Sequence, residues 1–202
     1  MVIAIISILA SMLLPALGRA KEKAQSIYCL NNLHNLGLAM IMYGDDSSDR
    51  LPLSSAVITK PGAGAWSNYP PPWTAALASY YGNNTNILRC PGFSSFYHSS
   101  GYNYFMGSFG FTYAADDNPT SVNLHSIAVP SFYILSGDCN FPSFPINADL
   151  NNNTTNVLFA LKSPTHNNRV NVLFADWHGK IYKSFLPGEM TFSQNNPGID
   201  YP

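Results

Sequence analysis

Residues 1–18 carry no charged side chain, and they run directly into Arg19-Ala-Lys-Glu-Lys23. An apolar run of this length restricts the fold more than any other feature of the chain. Helices in soluble cores usually keep a polar stripe, which this run lacks. It therefore reads as a helix covered by lipid or by other chains. As a helix, residues 2–18 would rise about 25 Å at about 1.5 Å per residue. That falls slightly short of a hydrocarbon core about 30 Å thick. Arg19, Lys21 and Lys23 follow the run and no basic residue precedes it, which would leave the remainder of the chain on the cytoplasmic side. A basic leader upstream would remove both mismatches, so we expect the sequence to begin inside a longer gene product. A signal peptide ending near Ala16-Leu17-Gly18 is the competing reading; its small residues fit, but it lacks a basic start. Pro15 removes one backbone donor and crowds the preceding turn, predicting a kink or local melting.

Beyond the apolar run, Ala24, Ile27, Leu30, Leu33, Leu36, Met40 and Tyr43 recur at three- and four-residue steps. That is the stripe of a helix packed on a domain. Gly44 stands where a C-terminal cap belongs, ahead of Asp45-Asp46-Ser47-Ser48-Asp49. The chain thus divides into an apolar helix (1–18), its amphipathic continuation (19–44), a loop-rich region (45–131) with a short helix at 73–81, and a β region (132–202). Apolar runs at 132–136 and 157–161, bounded by turn formers, read as strands. Val170–Ala175 and Lys180–Phe185 flank Asp176-Trp-His-Gly179 and predict a hairpin over 170–185. The tail beyond Pro187 reads as irregular. The fold class is α+β: a long N-terminal helix across a small antiparallel sheet.

The net charge is −1 and only 10% of residues are charged, which gives no electrostatic basis for nucleic-acid binding. Asn, Ser and Tyr supply the polarity instead, a composition compatible with an extracytoplasmic assembly. Cys29, Cys90 and Cys139 are too widely spaced for a CxxC redox or zinc motif. Their odd number allows one disulfide, with Cys90 and Cys139 the candidate pair, or none.

Few residues suggest chemistry. His166, Asp176 and His178 would hold Zn²⁺ if the sheet brought them together. Against that, His166 would simply hydrogen-bond the hairpin loop and Asp176 would serve as a turn residue, and structural zinc sites need four well-placed ligands. Asp45, Asp46 and Asp49 offer oxygens to Ca²⁺, but the segment lacks the glycine and terminal glutamate of an EF-hand, favouring a solvated acidic loop. The expectation is no required cofactor, with Ca²⁺ or Zn²⁺ as the options. Nucleophile elbow, Walker and Rossmann patterns are absent from the sequence. Asn83-Asn-Thr85 and the overlapping acceptors at 152–155 read as loops. The abundant aromatic residues fit core and loop packing, with a carbohydrate or partner surface as the alternative.

The run Val2–Leu17 followed by Arg19-Ala-Lys-Glu-Lys-Ala24 resembles the N-terminal helix of type IV pilin-like proteins and type II secretion pseudopilins. Cys29-Leu-Asn-Asn-Leu-His-Asn-Leu-Gly-Leu-Ala-Met40 and Tyr43-Gly-Asp-Asp46 resemble the prepilin-like group common in Planctomycetes and Verrucomicrobia. So do Cys90-Pro91 and His166 with nine residues before Asp176. The resemblance runs in order through nearly the whole chain. It implies a structural subunit rather than an enzyme. Val2, Ile3, Ile5, Ile6, Ile8, Leu9, Met12, Leu13, Leu14, Pro15 and Leu17 would form a helix held in the inner membrane. Assembly machinery would then pack that helix with copies of itself into a helical filament of the cell envelope. The family's leader, cleavage glycine and methylated Phe with its Thr-Leu-Ile-Glu-Leu-like run have no counterpart here, so no cleavage site or helix glutamate is assigned. About seven mature residues are expected upstream, in line with the shortfall in bilayer length. The motif residues are His166, Asp176 and Gly179. Trp177 replaces the family's glycine after Asp176, and this predicts a longer loop with Trp177 exposed. Two other classes stay open: a secreted metal-binding hydrolase or binding protein using His166, Asp176 and His178, and a monomeric membrane-anchored binding module.

Overall fold

The computed structural model describes residues 2–52, 73–91, 104–106, 122–138, 166–184, 186 and 188–191. It is an α+β fold: one long N-terminal helix and an antiparallel sheet. Helix α1 spans Val2–Asp46 and continues through Pro15, so the helical hydrogen bonding resumes beyond the donor the proline lacks. It also runs two residues past Gly44. The Gly44 carbonyl accepts from the amides of Ser47 (3.0 Å) and Asp49 (2.9 Å), and the positive φ angles fall on Ser48 and Asp49. Gly44 is buried, and a Cβ there would lie 3.2 Å from Leu124. It lets the Leu124 segment approach α1 closely, which replaces the capping role expected for it.

The domain-facing side of α1 comprises Ser26, Cys29, Asn32, Leu33, Leu36, Gly37, Ala39, Met40 and Gly44. The apolar stripe anticipated from the sequence holds for Leu33, Leu36 and Met40 and fails at Ala24 and Ile27, which are exposed. Where α1 first meets the domain, the buried face is carried by Ser26, Cys29 and Asn32. A stripe counted on apolar residues alone therefore drifts off the true contact face.

Four strands follow: β1 (Tyr104–Met106), β2 (Ile134–Asp138), β3 (Val170–Phe174) and β4 (Gly179–Tyr182). They form one sheet in the order β1-β2-β3-β4, each pair antiparallel. The β3–β4 hairpin matches the expected one, with β3 ending one residue earlier, β4 starting one residue earlier and β4 shortened at its outer end. The strand expected at 132–136 appears as β2. The short helix expected at 73–81 is α2, Trp73–Ala76, continued by turns in which Gly82 and Asn83 take positive φ. Much of the expected loop-rich region, the strand at 157–161 and most of the irregular tail lie outside the described residues.

The sheet divides two apolar clusters by the period-two alternation of its strands. Leu135 and Leu173 face α1 together with Leu33, Leu36, Met40, Trp73, Leu77 and Leu88. Ile134, Val170, Val172 and Phe174 face the other side, against Tyr182 and Met190. In β2 the register shifts: Ile134 pairs with Phe174, but Ser136 pairs with Leu173. Directly opposed residues on antiparallel strands share a face. The shift therefore moves the rest of β2 by one residue. It turns Asp138 to the α1 side with Asn171, whereas unbroken alternation from Ile134 would aim it away. A β-bulge that re-aims a side chain is a common device beside functional sites.

Candidate functional site

The first feature is the half of α1 that the domain leaves uncovered. Its large apolar side chains range from 54% exposed at Ile5 to 80% at Ile3. All ten large apolar residues expected on the apolar helix surface (Val2, Ile3, Ile5, Ile6, Ile8, Leu9, Met12, Leu13, Leu14 and Leu17) are exposed, and the most apolar stretch of α1 is not buried at all within the chain. Its two serines satisfy themselves on the helix: Ser7 Oγ donates to the Ile3 carbonyl (2.9 Å) and Ser11 Oγ to that of Ile8 (2.7 Å). Nothing polar in a side chain of residues 2–18 then needs water, as an apolar surrounding requires. The helix is long and apolar enough to cross a membrane by length and composition, a test that signal sequences also pass.

The second feature lies where α1 enters the domain. Ser26 Oγ donates to Asn171 Oδ1 (3.2 Å), and Asn171 Nδ2 returns a bond to the Ser26 carbonyl (3.1 Å). The same amide nitrogen and the Asn171 backbone N–H donate to Asp138 Oδ2, at 2.8 and 3.0 Å. Asp138 Oδ2 lies 3.4 Å from His166 Nε2. That nitrogen is 3.3 Å from Cys90 Sγ, which lies 2.9 Å from Cys29 Sγ. The circuit thus starts on α1 at Ser26, crosses β3 and β2, and returns to α1 one turn on at Cys29. All six side chains are buried.

Local structure fixes each member. Asn167 and Asn168 both take positive φ, and His166 and Arg169 exchange backbone bonds across them at 2.9 and 3.1 Å. That is the sign pattern of a type I′ turn, which asparagine tolerates, and it holds His166 at the mouth of β3. Cys90 is gripped from α1 on both sides: Asn32 Nδ2 donates to the Arg89 carbonyl and Gln25 Nε2 to that of Pro91, each at 3.1 Å. Asp138 arrives by the bulge.

Burial drives the Asp138 carboxyl up to about 6, outweighing the Asn171 amide bonds and the His166 charge that pull it down. For His166, burial pulls the imidazole down, but a hydrogen bond with Cys29 and the Asp138 charge raise it on balance. Among the described residues, Cys29, Cys90 and His166 form the group of metal-type donors whose ligand atoms lie within 4.8 Å of one another.

The trio His166, Asp176 and His178 does not come together as a shared donor group among the described residues. Asp176 accepts from the His178 backbone N–H at 3.2 Å and pairs with its ring, and that ring stacks on Phe174. Asp176 is thereby a turn residue. His166 does not bond the hairpin loop but joins Cys90 and Asp138. Trp177 adopts φ 71° itself and packs against the core, so the expected exposed residue is in fact half-buried. Gly179 does not supply the positive φ. A Cβ there would lie 2.6 Å from Leu30 Cδ1, so its function is close approach to α1. Asp49 pairs with His125 at 3.5 Å, while Asp46 accepts from the Tyr80 hydroxyl at 2.9 Å. Asp45 is exposed. Cys139 lies outside the described residues; Cys90 meets Cys29.

Sequence reasoning missed Cys29, Asp138 and Asn171. A signal was present in Ser26, Cys29 and Asn32, three small polar residues recurring every three positions on one helix face. Nothing in Ser136-Gly137-Asp138 marks the bulge. Compared with family models, curated proteins and solved structures, the chain finds no match in any of the three.

Proposed function

We propose that this protein is a pilin-like structural subunit, held in a membrane before assembly, that polymerises through the exposed half of α1. The product is an extracytoplasmic helical filament or a secretion pseudopilus. The observation carrying this reading is the uncovered apolar half of α1, continuous with a half firmly docked on the sheet. Fully burying one Val, Leu, Ile or Met side chain is worth about 1.5–3 kcal/mol. Ten such residues on one rod are too costly to leave in water. Lipid covers them before assembly and neighbouring copies cover them afterwards, so anchor and polymer interface are one surface. The domain, docked on the other half of α1, supplies a handle.

The test replaces Ile8 and Leu13 by Asp in the full chain, with electron microscopy of the surface fraction of producing cells. Both positions lie outside the domain core, so the domain stays folded while filaments disappear. Wild-type chain that yields only dispersed particles, with its N-terminus at Arg19 by mass, would instead identify residues 1–18 as a signal peptide and refute the proposal.

A further inference from the structure

The buried ring contains more donor chemistry than packing needs. Two thiols, an imidazole and a carboxyl meet in one place, from α1, the Arg89–Pro91 segment, β2 and the His166 turn. Asp138 is completely buried, and its Oδ1 has no hydrogen-bond partner among the described residues. A buried carboxylate with one bare oxygen costs several kcal/mol unless a cation satisfies it. The same His166 nitrogen faces both Cys90 and Asp138, so one ring atom is the meeting point of the thiol and carboxyl groups.

We propose that Cys29, Cys90 and His166, whose donor atoms lie within 4.8 Å of one another, hold a zinc-class divalent ion, with the Asp138 carboxylate, 3.4 Å from His166 Nε2, turning in as the fourth donor. Two thiolates, one imidazole and one carboxylate make the four-coordinate set that Zn²⁺ favours, with Zn–S near 2.3 Å and Zn–N near 2.0 Å. A tetrahedron with those bond lengths separates its sulfurs by about 3.8 Å. The sulfurs, now 2.9 Å apart, need only part slightly, which side-chain rotation provides. Binding releases to solvent both thiol protons and any proton held on His166 Nε2. Two thiolates and the carboxylate then offset the double positive charge. Asn171, donating twice to Asp138 Oδ2, is the supporting residue that orients the carboxylate. The rival arrangement is a Cys29–Cys90 disulfide, formed by exchange with an oxidised disulfide donor. It would account for two sulfurs and leave His166 and the bare Asp138 oxygen unexplained.

The site sits one turn inside the point where α1 leaves the domain. It ties the helix to three segments at once, in the position that bears any load passing between rod and domain. This inference stands on the ring alone and does not depend on filament formation.

The experiment uses the full chain in detergent micelles with reductant and without chelator. Its metal content is measured before and after titration with Zn²⁺, and Co²⁺ is then exchanged in. We expect one zinc per chain, and with Co²⁺ a thiolate charge-transfer absorption and the intense visible bands of a tetrahedral site. Asp138→Asn keeps the shape of the side chain and should weaken zinc binding at least 10-fold. Cys90→Ser should remove about half of the charge-transfer intensity, since one of the two thiolates is lost. His178→Ala should change neither readout. Failure of the reduced wild-type chain to take up one equivalent of Zn²⁺ overturns the proposal. So does a non-reduced mass two hydrogens lighter that is unaffected by zinc. If Cys90→Ser does not fold, the wild-type cobalt spectrum and Asp138→Asn still decide.

Discussion

At the scale of single residues, the chain places polar groups in its interior only where they close on one another. Asn171 is the hinge of the ring, because its amide nitrogen serves both Ser26 and Asp138. Asn171→Ala removes those bonds while leaving the carboxylate buried, which should cost about 2–3 kcal/mol. Chemical denaturation of the detergent-solubilised chain measures it, and an effect below about 0.5 kcal/mol would show that the ring is not an energetic unit. Trp177 sets two effects against each other. Its left-handed backbone costs about 1–2 kcal/mol for a non-glycine residue, while packing a large aromatic against the core is worth about 2–3 kcal/mol. Packing wins by a small margin, so Trp177→Gly should destabilise by about 1 kcal/mol in the same assay. A gain in stability would mean that the indole contributes little beyond strain.

At the scale of elements, α1 behaves as two helices in one. Leu33 and Leu36 are completely buried against β3 and its neighbours, and Ile27 is 55% exposed although all three fall on the stripe read from the sequence. Leu36→Ala should therefore cost about 2–5 kcal/mol, and Ile27→Ala should stay within about 0.5 kcal/mol. Equal losses at both positions would overturn the helix register described here. Gly37 is a second place of close approach between helix and sheet, where a Cβ would lie 3.2 Å from Leu173 and 3.4 Å from Trp177. A larger side chain there has to push β3 and its turn away together. On the opposite edge, Lys180 Nζ donates to Glu189 at 2.8 Å. Glu189 is lowered and Lys180 raised, each chiefly by bonding the other. Glu189 therefore contributes stability above its ordinary value of 4.5, lost as pH falls through its folded value. Lys180 contributes below 10.5, lost as pH rises through its folded value. Both groups lie at the surface, so salt should erase most of the effect. Thermal midpoints of wild type and Glu189→Gln, at low and high salt and pH 7, should converge as salt increases.

At the scale of the whole molecule, one helix joins two surroundings. Its first half is left exposed by the described residues, and its second half is one wall of the domain core. A substitution in the first half should leave the domain's denaturation curve unchanged and alter only what the chain assembles with. Leu14→Lys, far from any domain contact, should lower the sedimenting fraction of chain in lipid-free buffer without shifting the unfolding midpoint of the domain. A shift of that midpoint would mean that the two halves are energetically coupled. On the reading proposed above, such separation would let the assembly surface and the displayed surface vary independently.

The α+β class, the uncovered helix, the β3–β4 hairpin and the turn role of Asp176 are legible in the residues alone. Each of these is written in local periodicity or in the backbone preferences of a few neighbouring residues. The tertiary structure alone decided which residues form the ring. Cys29 and Cys90 stand 61 positions apart, and His166 is aimed by two left-handed asparagines. Asp138 reaches the α1 face only because a one-residue bulge reverses its strand's alternation. Spacing along the chain carries no trace of such a reversal, because it arises from how one strand pairs with another.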